Sequence, residues 1–211
     1  MAPPLSHIAG HTVLFVMAAE AEYGPALRQR ITPLITGVGP IEAAIATANA
    51  LAQLATQSSA PDLVVSLGSA GSARLEHCGL YQATSVAWRD MDASALGFPP
   101  GETPFLGLPA ILSLPLLLPG IPTASLSTGG NIVSGETYTA IAQDMVDMET
   151  FAVQRACMTA NVPLIALRGI SDGKSDLTGL HDWTEYLHII DQKLAQAVDT
   201  LISELNNGLL A

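Results

Sequence analysis

The sequence predicts an α/β protein, in which helices cover a central sheet. Short apolar runs that read as buried strands alternate along the chain with longer segments of helical composition. Glycine-rich turns follow several of these runs, which is typical of tight passages from strand to helix. The 211 residues fit one domain with a substantial core, and residues 1–211 show no internal repeat or linker.

The first half of the chain begins with a segment that looks like a loose arm. Pro40 suits the first position of a helix, and the alanine-rich stretch after it has high helical propensity. In chain order we expect an arm at 1–11, a strand at 12–17, a short helix at 26–31, a short strand reaching 36–39, a helix at 41–56, a buried strand at 61–67, a glycine-rich turn at 68–71 and a β segment at 79–88.

The second half of the chain opens with a proline- and leucine-rich segment, 99–122, that we predict to be irregular. Asn161 and Pro163 then form a helix-stop signal before another apolar run. In chain order we expect a strand at 123–128, a short helix at 137–144, a longer helix at 148–161, a buried strand at 164–167 and a closing helix at 184–206.

Composition excludes several classes of protein. Eight Lys and Arg face 19 Asp and Glu, for a formal charge of −11, so no basic face is available for nucleic acid. The apolar run at 13–19 is too short to cross a membrane, and prolines interrupt the uncharged stretch 103–135. We therefore expect neither a nucleic-acid nor a membrane partner, and a cytoplasmic location.

The low charge content points to a subunit interface. Hydrophobic residues make up 49% of the chain and charged residues only 13%, so much apolar surface must be covered by a large core or by another subunit. A homodimer is the prediction. Cys78 and Cys157 form no disulfide framework, and the five histidines lack ligand spacing. We expect no metal.

Nucleotide-cofactor motifs are weak or missing. The sequence Gly37-Val38-Gly39-Pro40-Ile41-Glu42 starts like a dinucleotide-binding fingerprint, but Glu42 occupies the position of the third glycine. The chain also contains no P-loop, no H-E-x-x-H, no C-x-x-C and no G-x-S-x-G motif. No cofactor is expected.

The segment from 146 to 172 concentrates polar residues at the ends of predicted elements. Asp147-Met148-Glu149 opens a helical stretch, and Arg168-Gly169-Ile170-Ser171-Asp172 follows the apolar run at 164–167. Open α/β sheets bind their ligands at the carboxyl ends of the strands. One crevice should therefore collect Met148, Glu149, Arg168, Ser171 and Asp172.

Carboxylates dominate the candidate chemistry. They are Glu20 or Glu22, Asp90 or Asp92, Glu149 and Asp172, each at a predicted strand end or helix start. Two carboxylates on opposite sides of a bond to a sugar can divide the work of hydrolysis. One protonates the leaving group, and the other activates water against an oxocarbenium-like centre.

Five short motifs carry a family resemblance that covers nearly the whole chain, from about Val13 to Leu201. In this order and spacing the chain resembles the nucleoside phosphorylase/hydrolase superfamily, and most closely the methylthioadenosine/S-adenosylhomocysteine nucleosidases. The resemblance implies a single three-layer α/β/α domain around a mixed, partly barrel-like sheet. The motifs are Ala18-Ala19-Glu20-Ala21-Glu22, Thr36-Gly37-Val38-Gly39, Gly68-Ser69-Ala70-Gly71, Asp147-Met148-Glu149 and Arg168-Gly169-Ile170-Ser171-Asp172.

The resemblance also implies roles for individual residues. Asp172 would be the general acid that protonates the purine N7, so that adenine leaves neutral, and Ser171 would orient it. Glu149 would accept hydrogen bonds from the ribose hydroxyls, and Met148 would pack on the sugar. Glu22 would activate water, with Glu20 as its rival. Supporting donors would be Ser69 and Arg168, and the expected lining is completed by Ala19, Val38, Gly71, Ile132 and Val133.

Hydrolysis is favoured over phosphorolysis. A phosphorylase of this superfamily must bind a phosphate dianion, usually with arginines beside the glycine turns. Here Ser66 stands before Leu67-Gly68-Ser69, and the loop after the first strand has no basic residue before Arg28. The predicted activity is cleavage of a 5′-modified adenosine. The alternatives are a purine nucleoside phosphorylase and a non-catalytic nucleoside-binding protein.

Two departures from the family pattern concern the substrate. Ile132-Val133 stands where the family stacks an aromatic ring on the purine. The segment 99–122 is shorter than its family equivalent and carries no charge beyond Glu102. It is either an apolar pocket wall for the 5′ group or a subunit interface. Trp183 and Tyr186 could belong to the core or to a lid.

Overall fold

The computed structural model describes residues 2–173 and 179–210. The α/β prediction is confirmed, and in this part of the chain nine strands join one sheet. They are β1 (Ser6–Ile8), β2 (His11–Met17), β3 (Leu34–Ile35), β4 (Leu63–Gly71), β5 (Leu80–Trp88), β6 (Ile111–Ser113), β7 (Thr123–Thr128), β8 (Met145–Asp147) and β9 (Leu164–Asp172).

Five of these strands close into a ring. β4 pairs in parallel with β9, β9 antiparallel with β5, β5 in parallel with β7, and β7 in parallel with β8. A single antiparallel pair, Gly71 with Val146, joins β8 back to β4. The mixed, partly barrel-like sheet is thereby confirmed. β2 extends the sheet from β4, and β6 extends it from β5.

Helices cover both faces of the sheet, which confirms the three layers. One core lies under α2 and α3, and the other lies under α1 and α5. α2 starts at Pro40, where a missing N–H costs nothing, directly after Gly39 with a φ of 99°. The helices are α1 (Pro25–Arg28), α2 (Pro40–Thr56), α3 (Thr150–Ala160), α4 (Leu180–Thr184) and α5 (Leu187–Asn206). Within the described residues, none of them is long and apolar enough to cross a bilayer.

The expectation of a loose arm at 1–11 is wrong. Ser6–Ile8 forms β1, which pairs antiparallel with β2 through a turn in which Ala9 and Gly10 have positive φ. A three-residue strand is too short to show an alternating pattern. Its stability comes from the neighbouring strand, and no sequence pattern reports that.

The expectation of a glycine-rich turn at 68–71 is also wrong. These residues continue β4 and pair with β9, Gly68 opposite Arg168 and Ser69 opposite Gly169. The glycine at 68 serves a close approach instead, because a Cβ there would lie 3.3 Å from both carboxylate oxygens of Glu22.

Several element boundaries differ from the prediction. Asp147 ends strand β8 and does not begin a helix, since α3 starts at Thr150. β9 runs on to Asp172, because the charge of Arg168 is neutralised inside the protein and does not end the strand. The short helix after β7 is a 3-10 helix at Gly135–Ala140, and the segment 99–122 contains β6.

Candidate active site

A cavity of about 590 Å³ opens where several strands of the ring end. Its wall includes both the expected base and the expected acid, because Glu22 and Asp172 line the same cavity. Ten of the twelve site residues predicted from the sequence line it, and Arg168 and Ser171 do not. The ten are Ala19, Glu22, Val38, Ser69, Gly71, Ile132, Val133, Met148, Glu149 and Asp172.

Glu22 ends a 3-10 helix after β2, and its side chain is buried. Oε1 accepts hydrogen bonds from the backbone nitrogen of Ser69 at 2.7 Å and from its Oγ at 2.6 Å. Oε2 is buried and has no hydrogen-bond partner among the described residues. Burial raises the pKa of Glu22, against the opposing effect of the Ser69 hydrogen bonds and the charge of Arg168.

Glu20, the rival for the same role, lies outside the cavity. Its carboxylate is exposed and pairs with Arg28 at 2.8 Å. Asp90 and Asp92 also lie away from the cavity wall. Asp90 accepts a hydrogen bond from the backbone nitrogen of Gly130, and Asp92 accepts one from Ser94. Of the paired alternatives, only Glu22 lines the cavity.

Trp183 completes the surroundings of Ser69. Its indole Nε1 donates to Ser69 Oγ at 2.9 Å, and its ring lines the cavity. The sequence left Trp183 open between core and lid, and the structure places it at the cavity wall. Tyr186 instead packs edge-on against His77, with ring centroids 4.4 Å apart.

Asp172 stands at the end of β9, just after a β-bulge. β4 advances from Ala70 to Gly71 while β9 advances from Ile170 to Asp172, so Ser171 is the additional residue. A bulge of this kind turns the next side chain. Ser171 is buried, and its Oγ donates to Asp172 Oδ1 at 2.6 Å. Burial raises the pKa of Asp172, while the hydrogen bonds from Ser171 and Tyr138 lower it.

Glu149 lies between β8 and α3 and faces the first glycine turn. Its Oε1 accepts a hydrogen bond from the backbone nitrogen of Gly39 at 2.8 Å. Burial, together with the nearby charge of Asp147, raises its pKa to about 7. Glu149 can therefore change its ionisation near neutral pH. Met148 lines the cavity beside it.

Arg168 lies behind the cavity, and its N–H groups are used inside the protein. Nε and Nη2 donate to Asp147 Oδ2 at 3.1 and 3.0 Å, and Nη2 also donates to Ser66 Oγ at 2.9 Å. Its expected role as a supporting hydrogen-bond donor beside Glu22 stays a prediction, and in the structure its donors are directed at protein atoms. It borders a separate void of about 10 Å³, shared with Glu22 and Glu149, which has about the size of one water. Its charge lowers the pKa of both carboxyls.

Arg89 is a cavity residue that the sequence did not single out. It donates from Nη1 to the carbonyls of Ser127 and Asp147, at 2.7 and 2.9 Å, and from Nη2 to the carbonyls of Gly129 and Asn131. These bonds fix the loop that carries Ile132 and Val133. The only local signal was a cation at a strand end.

Comparison with known proteins supports the family resemblance. A 5′-methylthioadenosine/S-adenosylhomocysteine nucleosidase from Haemophilus influenzae (strain PittEE) is 29% identical over 191 residues, which cover 82% of this chain and 80% of the relative. A nucleosidase of the same name from Staphylococcus aureus (strain MRSA252) is 26% identical over 191 residues, with 81% and 80% covered. The predicted resemblance is confirmed. No protein-family model matches the chain.

Solved structures of these nucleosidases share the fold. The Neisseria meningitidis enzyme, in complex with methylthio-immucillin-A, superposes with a TM-score of 0.74 at 21% identity, over 90% of this chain and 98% of that one. Futalosine hydrolase of Helicobacter pylori strain 26695 gives a TM-score of 0.74 at 18% identity, over 91% and 97%. The nucleosidase fold is thus common to proteins with different named substrates.

Proposed function

We propose that this protein is a nucleosidase that hydrolyses the N-glycosidic bond of a 5′-modified adenosine of the methylthioadenosine/S-adenosylhomocysteine type and releases adenine. One observation carries the proposal. Two carboxyl groups, the buried Glu22 and the half-buried Asp172, line the same cavity and are hydrogen-bonded differently. Such a division between two carboxyls is what acid- and base-assisted glycoside cleavage requires.

Asp172 is suited to be the acid. Burial raises its pKa, so the carboxyl retains its proton at a higher pH than an exposed aspartate. Transfer of that proton to the purine N7 lets the bond from C1′ to N9 break with its electron pair on a neutral adenine. The sugar is left with oxocarbenium character, and Asp172 is left as a carboxylate.

Glu22 is suited to be the base. Ser69 occupies Oε1, and Oε2, which has no hydrogen-bond partner in the described part of the chain, is left to accept a proton from water. The water oxygen bonds to C1′ while its proton passes to Glu22, which gives the free 5′-modified ribose. A carboxyl whose pKa is raised by burial is also a stronger base than an exposed one.

Glu149 and Met148 are suited to hold the ribose. Glu149 has one oxygen fixed by the Gly39 amide, and its carboxylate can accept hydrogen bonds from the 2′- and 3′-hydroxyls. The apolar side chains of Val38, Ile132 and Val133 can pack on the base and the 5′ substituent. An apolar wall of this kind suits a thioalkyl group.

Phosphorolysis is disfavoured by the engagement of the nearby arginines. Arg168 directs its guanidinium at Asp147, Ser66 and Thr150, and Arg89 directs its Nη groups at backbone carbonyls. Three carboxyl groups, those of Glu22, Glu149 and Asp172, line the same cavity. This balance of charge suits water better than a phosphate dianion.

A cytoplasmic homodimer is the form in which we propose that the enzyme acts. Val38, Ile41 and Ile45 are 55%, 70% and 53% exposed; Val38 lines the cavity just before α2, and the two isoleucines lie in the first turns of α2. Among the described residues, the segment 99–122 contributes nothing to the cavity wall, and its Phe105 is exposed. Both are therefore candidates for burial by a second copy, which sedimentation at several concentrations tests.

A panel of nucleosides tests the activity. Methylthioadenosine, S-adenosylhomocysteine, 5′-deoxyadenosine and inosine are each incubated with the protein, with and without phosphate, and the released base is measured by chromatography. We expect adenine release without phosphate. Phosphate-dependent formation of ribose 1-phosphates would show a phosphorylase, and thermal stabilisation by nucleoside without product would show a non-catalytic binding protein.

A further inference from the structure

Tyr138 lies behind the carboxyl group of Asp172 and outside the cavity wall. It sits on the 3-10 helix Gly135–Ala140, and its side chain is only 8% exposed. The ring packs in a small apolar cluster with Val133 and Val146, and both valines also line the cavity. Its hydroxyl lies 3.4 Å from Oδ2 of Asp172. A buried hydroxyl therefore points at the proposed acid from inside the protein.

Gly71 makes room for this contact. A Cβ at position 71 would collide with the Tyr138 hydroxyl and would lie 2.7 Å from Asp172 Oδ2. Gly71 is not among the glycines with positive φ, so its backbone conformation is open to any residue. What excludes a side chain at this position is the space that the hydroxyl and the carboxyl occupy together.

We propose that Tyr138 is a positioning residue for the general acid, which donates a hydrogen bond to Asp172 Oδ2 from behind and stabilises the carboxylate that remains after proton transfer. This inference rests on the role of Asp172 in the proposed function. Tyr138 does not line the cavity, so it acts through Asp172 and not on the nucleoside.

The two oxygens of Asp172 then have separate donors. Ser171 Oγ donates to Oδ1, and the Tyr138 hydroxyl donates to Oδ2. When the proton leaves for N7, both oxygens of the new carboxylate are hydrogen-bonded, which makes Asp172 a stronger acid than burial alone would allow. The Tyr138 hydrogen bond lowers the pKa of Asp172, and burial beside Asp172 raises the pKa of Tyr138 well above its ordinary value. Tyr138 hence remains a donor throughout the working pH range.

Other charged groups act on this pair in the described part of the chain. His77, in the loop between β4 and β5, binds the carbonyl of Ser171 through Nε2 at 2.7 Å, and its charge lowers the pKa of Asp172. Arg89 faces Tyr138 and lowers its pKa. Both groups are unchanged when Tyr138 is altered, so a comparison of variants isolates the hydroxyl.

The decisive variant is Tyr138→Phe, which removes the hydroxyl and keeps the ring. Loss of one long hydrogen bond to the carboxylate, 3.4 Å in the structure, should raise the pKa of Asp172 by about half a pH unit to one unit. The alkaline limb of the kcat profile should move up by that amount, with a several-fold lower plateau and an unchanged KM. Tyr81→Phe is the matched control, because Tyr81 binds the backbone nitrogen of Glu76 and does not line the cavity.

A titration that needs no turnover separates this inference from the proposed function. The carboxyl carbon of Asp172 is followed by NMR against pH in the ligand-free wild type, in Tyr138→Phe and in Tyr81→Phe. A higher pKa in Tyr138→Phe alone supports the proposal, whether or not a nucleoside is cleaved. Superimposable titrations of Asp172 in folded wild type and Tyr138→Phe would overturn it. If the titration shifts in Tyr138→Phe but the wild type releases no base, the result counts against the nucleosidase activity and not against the role of Tyr138.

Discussion

Ser69 donates two hydrogen bonds to the same oxygen of Glu22, from its backbone nitrogen at 2.7 Å and from Oγ at 2.6 Å. Trp183 in turn donates to that Oγ, which directs the hydroxyl proton toward the carboxylate. The second oxygen, Oε2, has no partner among the described residues. The carboxylate is therefore asymmetric, and the oxygen available to take a proton is fixed by its neighbours.

The substitution Glu22→Gln should remove the base and leave the fold. The amide oxygen can still accept both bonds from Ser69, but the amide cannot take a proton from water. Loss of general-base catalysis lowers a rate by about 10²–10⁴-fold, and we expect a fall of that size in initial rates of adenine release.

Glu20→Gln is the control for this change, because Glu20 is two residues away and its carboxylate pairs with Arg28 at the surface. Exposed ion pairs contribute little to stability, so its rate should stay close to wild type. If Glu20→Gln lost activity and Glu22→Gln kept it, the assignment of the base would be reversed.

Asp172→Asn should abolish turnover while nucleoside binding persists. The asparagine fills the same space but has no proton to give to N7, so kcat should fall by about 10²–10⁴-fold. Binding is checked by calorimetry with methylthioadenosine. Asp92→Asn, an exposed position bonded only locally to Ser94, serves as the control and should remain active. Substantial turnover by Asp172→Asn would require another acid.

Asp147→Asn should lower the free energy of unfolding of the protein. Asp147 and Arg168 form an ion pair at 3.0 Å, with side chains only 1% and 3% exposed. Removal of one partner of a buried pair leaves an uncompensated charge and costs about 3–5 kcal/mol. Urea unfolding measures the loss.

The matched control for that measurement is Asp199→Asn. Asp199 pairs with Arg30 at 2.8 Å, but its side chain is 51% exposed. Surface pairs of this kind contribute about 0–1 kcal/mol. Equal losses of unfolding free energy in the two variants would show that the buried pair of Asp147 and Arg168 stabilises the protein no more than the surface pair does.

The sequence could predict those site residues whose signal is local. Asp172 ends a strand, Glu149 precedes a helix and Glu22 lies in the short segment that follows a strand, and a sheet gathers such positions at one edge. Ten of the twelve predicted residues line the cavity, and several of these, such as Val38 and Ile132, were expected only because of the family resemblance. The apolar runs likewise predicted the central strands, because burial on both faces requires continuous hydrophobic segments.

The other features of the site depend on contacts between residues that are far apart in the chain. Arg168 was expected to be a supporting donor, but the sequence did not show its pairing with Asp147, which lies 21 residues earlier and meets Arg168 only once β8 and β9 join the ring. Tyr138 meets Asp172 over 34 residues. Arg89 reaches carbonyls 38 to 58 residues away. No local pattern reports such contacts.

Trp183→Phe should weaken catalysis slightly and leave binding intact. The ring remains at the cavity wall, but the donor to Ser69 Oγ is lost. A neutral hydrogen bond contributes about 0.5–1.5 kcal/mol, which corresponds to a roughly 2- to 10-fold lower kcat. Trp183→Ala should in addition raise KM, because it removes apolar wall. An unchanged kcat for the phenylalanine variant would show that Ser69 orients Glu22 without help.

Glu149 should make both stability and binding depend on pH near neutrality. Its pKa is about 7 in the folded protein, against 4.5 for an ordinary glutamate, so the folded state holds a proton that the unfolded chain releases. The stability that this proton contributes is complete below pH 4.5, and roughly 3 kcal/mol of it is lost as the pH rises to about 7.

Nucleoside affinity should increase over the same pH range, because the ribose hydroxyls donate to the ionised form of Glu149. Glu149→Gln should remove both dependences and be the more stable protein at pH 8. Urea unfolding and calorimetry at pH 5 and pH 8 measure the two effects, and parallel pH profiles for wild type and variant would contradict this account of Glu149.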